Sequence, residues 1–405
     1  MIYYISNQGS DANDGQTPER AWASIQKVNA TIRRGDTIRF RRGDTFYGQI
    51  KLPEGGTGKT VYEAYGEGTR PVISQYKLVS GTDSWEQTTP NIWRINLTDQ
   101  KGYTGNLTSP DANVGFIKAD GVIYGRKLFL LEQLHYQWDF YSDDTFLYVY
   151  SPENPSCIAT DIRIACNICS IVLSDGMQIS GLDIVGSGGH GIRGSASDVT
   201  ISDCELHELG GSWLADHWYQ TTRYGNGIEI WSDSENITIT GNRLYDIYDV
   251  AFTMQGDRVT KGWKNILCSD NIIYHCEQSF EIWSKGGYAN TGFFNCYFEN
   301  NVCLFSGYGW SHKVRPDRRG VHLLVYVIEC PENDITIRNN VFYHVKDALY
   351  YVGSFSDNLP KGYRSGQNFI SMKKTNQSLT VCSTSLPAST KHFRHTFRKK
   401  RIPYF

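Results

Sequence analysis

The chain has 405 residues, enough for two ordinary domains or one elongated body. Residues 361–405 hold ten of the 40 Lys and Arg and none of the 42 acids, so the formal charge of −2 conceals an acidic body, which argues against nucleic acid as the main partner. No apolar run reaches membrane-spanning length, and 39 Gly, 26 Tyr and 10 Trp point to a β-rich protein whose aromatic faces suit sugars.

The chain opens on a strand-like Ile2-Tyr-Tyr-Ile5, with no signal peptide ahead of it. The loop Gly9-Ser-Asp-Ala-Asn-Asp-Gly15 follows, then Trp22 and a short helix over Ala23–Thr31 with Ile25 and Val28 on its apolar side. Asp11, Asn13 and Asp14 beside Gly15 resemble part of a calcium loop but lack its distal Glu, and Asx turns account for them. No cofactor is expected, and calcium at this loop is the one metal option. Strands are read at Arg34-Gly-Asp-Thr-Ile-Arg-Phe40, Ala64-Tyr-Gly66 and Arg70-Pro-Val-Ile73. Residues 76–160 break this rhythm. Trp85, Trp93 and a hairpin from Trp138 to Tyr150 around Ser142-Asp143-Asp144 describe a small antiparallel insertion.

From residue 198 a phrase recurs: Asp198-Val-Thr-Ile-Ser-Asp-Cys-Glu-Leu-His207, Asn236-Ile-Thr-Ile-Thr-Gly-Asn-Arg-Leu-Tyr245, then copies beginning at Asn265, Asn295 and Asp334. A second phrase follows most copies: Gly227-Ile-Glu-Ile-Trp231, Ala251-Phe-Thr-Met-Gln255, Ser279-Phe-Glu-Ile-Trp283 and Ala348-Leu-Tyr-Tyr-Val352. Asn242, Asn271, Asn301 and Asn340 mark the turn and are 29, 30 and 39 residues apart. Alternating strands with uneven steps describe a coiled solenoid whose coils carry loop insertions, with turn Asn residues stacked as a ladder. The tail from Gly366 has no alternation and is expected to lie outside the fold and to be dispensable. The ten Cys form no paired framework, and the lone Cys166-Asn-Ile-Cys169 reads as structural.

The N-terminal loop, capping helix and following strands, with the later repeats, resemble the secreted right-handed parallel β-helix proteins, a pectate-lyase-like group of polysaccharide lyases and some glycoside hydrolases. The resemblance covers most of residues 1–355. It implies an all-β, right-handed parallel β-helix solenoid over residues 1–355 with an N-terminal capping helix and an antiparallel insertion. It also implies a polysaccharide or oligosaccharide partner and a secreted or cell-surface location. One elongated body is expected, monomeric and without a membrane partner.

Function is expected where insertions rim the outward sheet face. Three are read: Gly210 to Tyr224, Gly256 to Lys264 and Gly307 to Arg319. The first carries Trp213, His217, Tyr219 and Arg223; the third carries Trp310, His312, Lys313, Arg315 and Arg319, with His322 just beyond. Aromatics beside cations suit a sugar acid, Trp against the ring and Arg forked on the carboxylate. Elimination would use His312, Lys313 and Arg315 to neutralise a uronate carboxylate and a base such as His217 or Tyr219 to take the proton. Glu229 and Glu281 each sit in an Ile-or-Phe-Glu-Ile-Trp phrase, so both Glu and the following Trp231 and Trp283 face outward. Two carboxyls on one face are the apparatus of a glycoside hydrolase. Elimination is the leading expectation, hydrolysis the alternative, and a non-catalytic glycan-binding solenoid the third. Gly189-His-Gly-Ile-Arg193 resembles one polygalacturonase motif, but that family's other motifs do not occur in the required order.

Overall fold

The structure, a computed structural model, describes residues 1–51, 53, 55–97, 113–143, 145–214, 222–353 and 361–371. Strand alternation puts Ile237 and Ile239, Leu244, Phe252 and Met254 inside, and each coil repeats them in register on the one before. Three parallel sheets result. Sheet A has ten strands from Ile2–Ile5 to Tyr363–Gly366, sheet B nine from Thr45–Tyr47 to Phe369–Ser371, and sheet C seven from Ile171–Val172 to Ala348–Val352. One coil visits them in turn, as in Ser234–Thr240, Arg243–Ile247 and Val250–Val259. The chain is a right-handed parallel β-helix. Its interior stacks like on like: Phe280 lies 5.5 Å from Phe252 and 4.6 Å from Phe298, and Trp263 lies 4.4 Å from Phe293.

The open first coil is plugged as expected. The helix spans Ile25–Thr31, capped by Ser24, whose Oγ accepts from Lys27 N at 3.1 Å, and it buries Ile25 and Val28. Asp11 accepts from Ala23 N, Ser24 N and Ser24 Oγ, so its carboxylate braces this cap. Between residues 76 and 165 two four-stranded antiparallel sheets share a separate core around Trp85, Trp138, Phe140 and Ile164, and the hairpin pairs Phe140 with Val149. Among the described residues no helix is long and apolar enough to cross a membrane.

A column of buried Asn side chains fixes the register. Asn271 Oδ1 accepts from the backbone N and Nδ2 of Asn242 at 2.9 and 3.0 Å, and its own N and Nδ2 donate to Asn301 Oδ1 at 3.0 and 2.9 Å. Each Nδ2 also donates to a carbonyl of the preceding coil, Asn301 to Cys268 O at 3.0 Å. Amide side chains suit this place because they donate and accept at once. The column begins at Cys204 N, passes Asn340 and continues to Asn368, which accepts from Asn340 N at 2.9 Å.

Two expectations are corrected here. The ladder does not stop near residue 355: Tyr363–Gly366 pairs with Ile335–Arg338 and Phe369–Ser371 with Val341–Tyr343, so Gly366 is no boundary. The rest of the expected dispensable tail, 372–405, lies outside the described residues. Gly256 to Lys264 is not an inserted loop, because sheet C pairing carries on through Gly256 with Ser284, Asp257 with Lys285 and Val259 with Gly287.

Asn301→Ala takes the shared acceptor from Asn271 N and Nδ2 and the Nδ2 donor from Cys268 O and Asn340 Oδ1, leaving Asn340 only the backbone N–H of residue 301. We expect it to cost about 2–4 kcal/mol, seen as a lower urea midpoint, and Asn368→Ala, at the end of the column, to cost less.

Candidate active site on sheet C

In sheet C the inward residues Ile228, Ile230, Phe280 and Ile282 force Glu229, Trp231, Glu281 and Trp283 to the other face. Register sets one outward row as Arg193, Glu229, Thr253, Glu281 and Leu324, and the next as Trp231, Gln255 and Trp283. Glu229 and Glu281 are therefore two rungs apart, about 9.6 Å between backbones. The rings of Trp231 and Trp283 are 6.2 Å apart, tilted by 54°.

The two carboxyls share a phrase but not an environment. Glu229 is 1% exposed and ringed by donors. Asn226 Nδ2 reaches its Oε2 at 2.9 Å, Gln255 Nε2 donates to the same oxygen, and His190 Nε2 stands 3.4 Å from it. Arg193 Nε lies 2.6 Å from Oε1 but outside hydrogen-bond geometry, so Oε1 receives no in-line donor. His190 Nδ1 accepts from Asn226 N at 3.1 Å, which places the ring proton on Nε2, toward Glu229. Burial holds the His190 pKa below its ordinary value, against the pull of Glu229. Arg193 lies over the Trp231 ring at 5.0 Å with its side chain 45% exposed.

Glu281 has no hydrogen bond among the described residues. Burial pushes its pKa well above the ordinary carboxyl value; Asp249, Glu229 and Asp317 add to this and Arg315 opposes it. Asp249 is raised too, by burial, although Arg315 Nη1 pairs with it at 2.7 Å.

The loop cations are not the free apparatus that elimination asks for. Arg315 is buried and engaged by Asp249, by Asp317 at 2.9 Å and by Tyr248 O at 3.3 Å. His312 Nδ1 faces the buried Glu277 at 3.1 Å. Trp310 is a packing residue against Phe116 and Tyr248, its Nε1 donating to Asp246 O at 2.9 Å. Arg223 donates only to backbone carbonyls and is 4% exposed, so it is no substrate ligand. His322 turns inward, with Nδ1 against Ser279 and Ser306 hydroxyls at 3.1 and 2.9 Å, and burial drops its pKa to about 3. Trp213 stacks on Phe129 at 4.2 Å. Lys313 is exposed, and Arg319 lies 4.4 Å over Tyr351. His217 and Tyr219 lie outside the described residues. Cys166 packs in the insertion core and burial raises the Cys169 thiol to about 12. Among the described residues no group of three or more His, Cys, Asp or Glu is disposed to hold a metal ion.

Sequence reasoning missed the acids Asp249, Glu277 and Asp347. They stand together because the strand residues after them pair, Val250 with Gln278, Gln278 with Val321 and Val321 with Ala348. The signal was present: each precedes a copy of the second phrase.

Residues 147–323 match the family model of the right-handed β-helix region. Among solved structures the chain is similar to the complex of XylC with xylose, at 12% identity over 94% of this chain and 71% of that one, with a TM-score of 0.56. It is also similar to a protein described as a glycoside hydrolase (10% identity, 92% and 95% covered, TM-score 0.45) and to an alginate lyase from Paenibacillus sp. str. FPU-7 (12%, 86% and 93%, 0.38). At 12% identity the likeness to the first of these is one of fold, and it agrees with the right-handed parallel β-helix described above. No curated protein sequence matches the chain.

The raised Glu281 pKa has a consequence for stability. A carboxyl whose folded pKa exceeds its unfolded value, about 4.3, takes stability away as pH rises from that value through the folded one. Glu281→Gln removes this penalty. The variant should melt above the parent protein at about pH 8 and lose its advantage toward about pH 4, as read by calorimetry across that range.

Proposed function

We propose that the chain is a carbohydrate-active enzyme, a glycoside hydrolase acting with inversion, in which Glu281 is the general acid and Glu229 the general base. One observation carries this reading: two carboxyls share one outward row two rungs apart, one with its pKa raised by burial and the other surrounded by donors. Adjacent rungs would bring carboxyls to about 5 Å, the spacing of retaining enzymes, whereas two rungs leave space for a water beneath the sugar. In the reaction Glu281 gives its proton to the leaving oxygen as the glycosidic bond breaks. Water attacks the anomeric carbon from the opposite side and yields its proton to Glu229 Oε1, the oxygen without an in-line donor. Trp231 and Trp283 supply the apolar platform for the ring. Arg193, beside Glu229 and over the Trp231 ring, keeps its side chain 45% exposed; this favours a glycan that carries a carboxylate.

Elimination is the second reading, favoured by the same exposed Arg193. It needs a base, and among the described residues His190 has its Nε2 protonated toward Glu229 while His312 is turned to Glu277; His217 and Tyr219 lie outside them. Hydrolysis is therefore placed first.

A panel of neutral and uronate-bearing polysaccharides, read both for new reducing ends and for unsaturated products, tests the proposal. Reducing ends without unsaturation are expected. The first-formed anomer, followed by NMR, should be inverted. Glu281→Gln and Glu229→Gln should each lower kcat by roughly 10²–10⁴-fold. Activity should fall on the alkaline side as Glu281 loses its proton, at a pH above the ordinary carboxyl range. An unsaturated product, or full activity in both variants, would overturn the reading.

A further inference from the structure

Three stretches of chain far apart in sequence meet beside the groove. They are the insertion at Gly115 and Gly125, the loop at Gly211, and the loop that carries Val314. Their carbonyls converge on one guanidinium: Arg223 Nε donates to Gly211 O at 2.7 Å, Nη2 to Gly115 O at 2.8 Å, and Nη1 to Gly125 O at 2.9 Å and Val314 O at 3.3 Å. Among the described residues no carboxylate pairs with this buried cation. It also lies over the Tyr248 ring at 4.7 Å and the Trp213 ring at 5.8 Å, and Arg315 lies over the same Tyr248 ring at 5.1 Å. The glycines make this convergence possible. A Cβ on Gly115 would stand 2.3 Å from Gly210 O, one on Gly211 2.7 Å from Gly115 O, and one on Gly125 2.6 Å from the Trp310 ring. An unpaired buried cation is costly, and only a fork of five donors reaches four carbonyls from three segments; a Lys ammonium cannot span them.

We propose that Arg223 is a positioning residue that locks the insertion and both loops into one wall of the groove and, through Val314 and Tyr248, holds Arg315 against Asp249 beside Glu281. The second half rests on the hydrolase reading. The first half does not. The charged groups acting on Glu281 are Asp249, Arg315, Glu229 and Asp317. Of these only Arg315 draws its pKa down, so a wall that releases Arg315 lets that pKa rise.

Hydrogen exchange by mass spectrometry on the full chain tests the first half in Arg223→Lys and Arg223→Ala. Segments 113–127, 210–214 and 308–318 should exchange together, roughly tenfold faster than in the parent protein, while coils 234–300 are unchanged. Millimolar methylguanidinium should restore protection in Arg223→Ala. Acceleration confined to 210–214, or none, overturns the proposal. Should neither variant fold, Gly125→Ala presses on Trp310 and should loosen 113–127 and 308–318 together; loosening of one without the other is equally fatal. For the second half, the alkaline limb of kcat on a cleaved glycan should move to higher pH in Arg223→Lys, whereas a merely structural role would lower kcat with the limb in place. If no glycan is cleaved by the parent protein, the hydrolase reading fails and the exchange result still decides the wall.

Discussion

Everything in this molecule depends on parallel, in-register stacking of one coil on the next. The Asn column is where that constraint is tightest: a coil that slipped by one residue would bury an amide with nothing above or below it. Extra residues can therefore leave the coil only at a corner where no side chain must find its equal. All three large excursions leave from the same corner. The insertion departs after Val72–Ser74, the second loop after Glu205–Leu209 and the third after Val302–Ser306, each at the end of a sheet B strand and before one in sheet C. Coils are only about 4.8 Å thick, so excursions from one corner must pile on each other, and the pile is the wall of the groove. Phe116 against Trp310 and Phe129 against Trp213 are the contacts that result.

The same stacking turns distant residues into neighbours. Glu229 and Glu281 arise from nearly identical phrases and occupy the same face, yet their surroundings differ because each inherits the coils beside it. Arg193 precedes Glu229 in the row, and Asn226 and Gln255 lean onto its carboxyl. Glu281 is followed by Leu324 and has Asp249 nearby, so burial and a like charge act on it with Arg315 as the one opposing cation. A repeat protein thus obtains two chemically distinct carboxyls from one repeated phrase, without any change in the phrase.

Period and alternation carry information about the chain itself, and for that reason the sheets, the turn Asn column, the capping helix and the outward direction of Glu229, Trp231, Glu281 and Trp283 were legible. Asn368 keeps a similar spacing, 28 residues after Asn340, although the segment around it lacks the alternation of the earlier copies. What was not legible is whatever depends on a partner from another coil. Arg315 and His312 read as free cations in a loop, because their neutralising acids Asp249 and Glu277 belong to earlier coils. His322 read as a cleft residue because it follows that loop, whereas Ser279 and Ser306, from two different strands, receive it inside.

Three arginines near the groove show why counting charges in a loop does not specify its chemistry. Arg193 keeps an edge in solvent and faces one carboxylate; Arg315 is buried between two; Arg223 is buried with none among the described residues and is held by carbonyl dipoles and two aromatic rings. Burial lowers the pKa of Arg223, but a guanidinium is deprotonated so reluctantly in proteins that its charge is permanent. A permanent charge without a counterion acts through geometry, because it can be accommodated only while all its dipoles point inward. The carboxyls behave in the opposite way. Burial makes Glu281 hold its proton to a higher pH than an ordinary carboxyl, and a proton held in that way can be given away when a developing negative charge comes within reach.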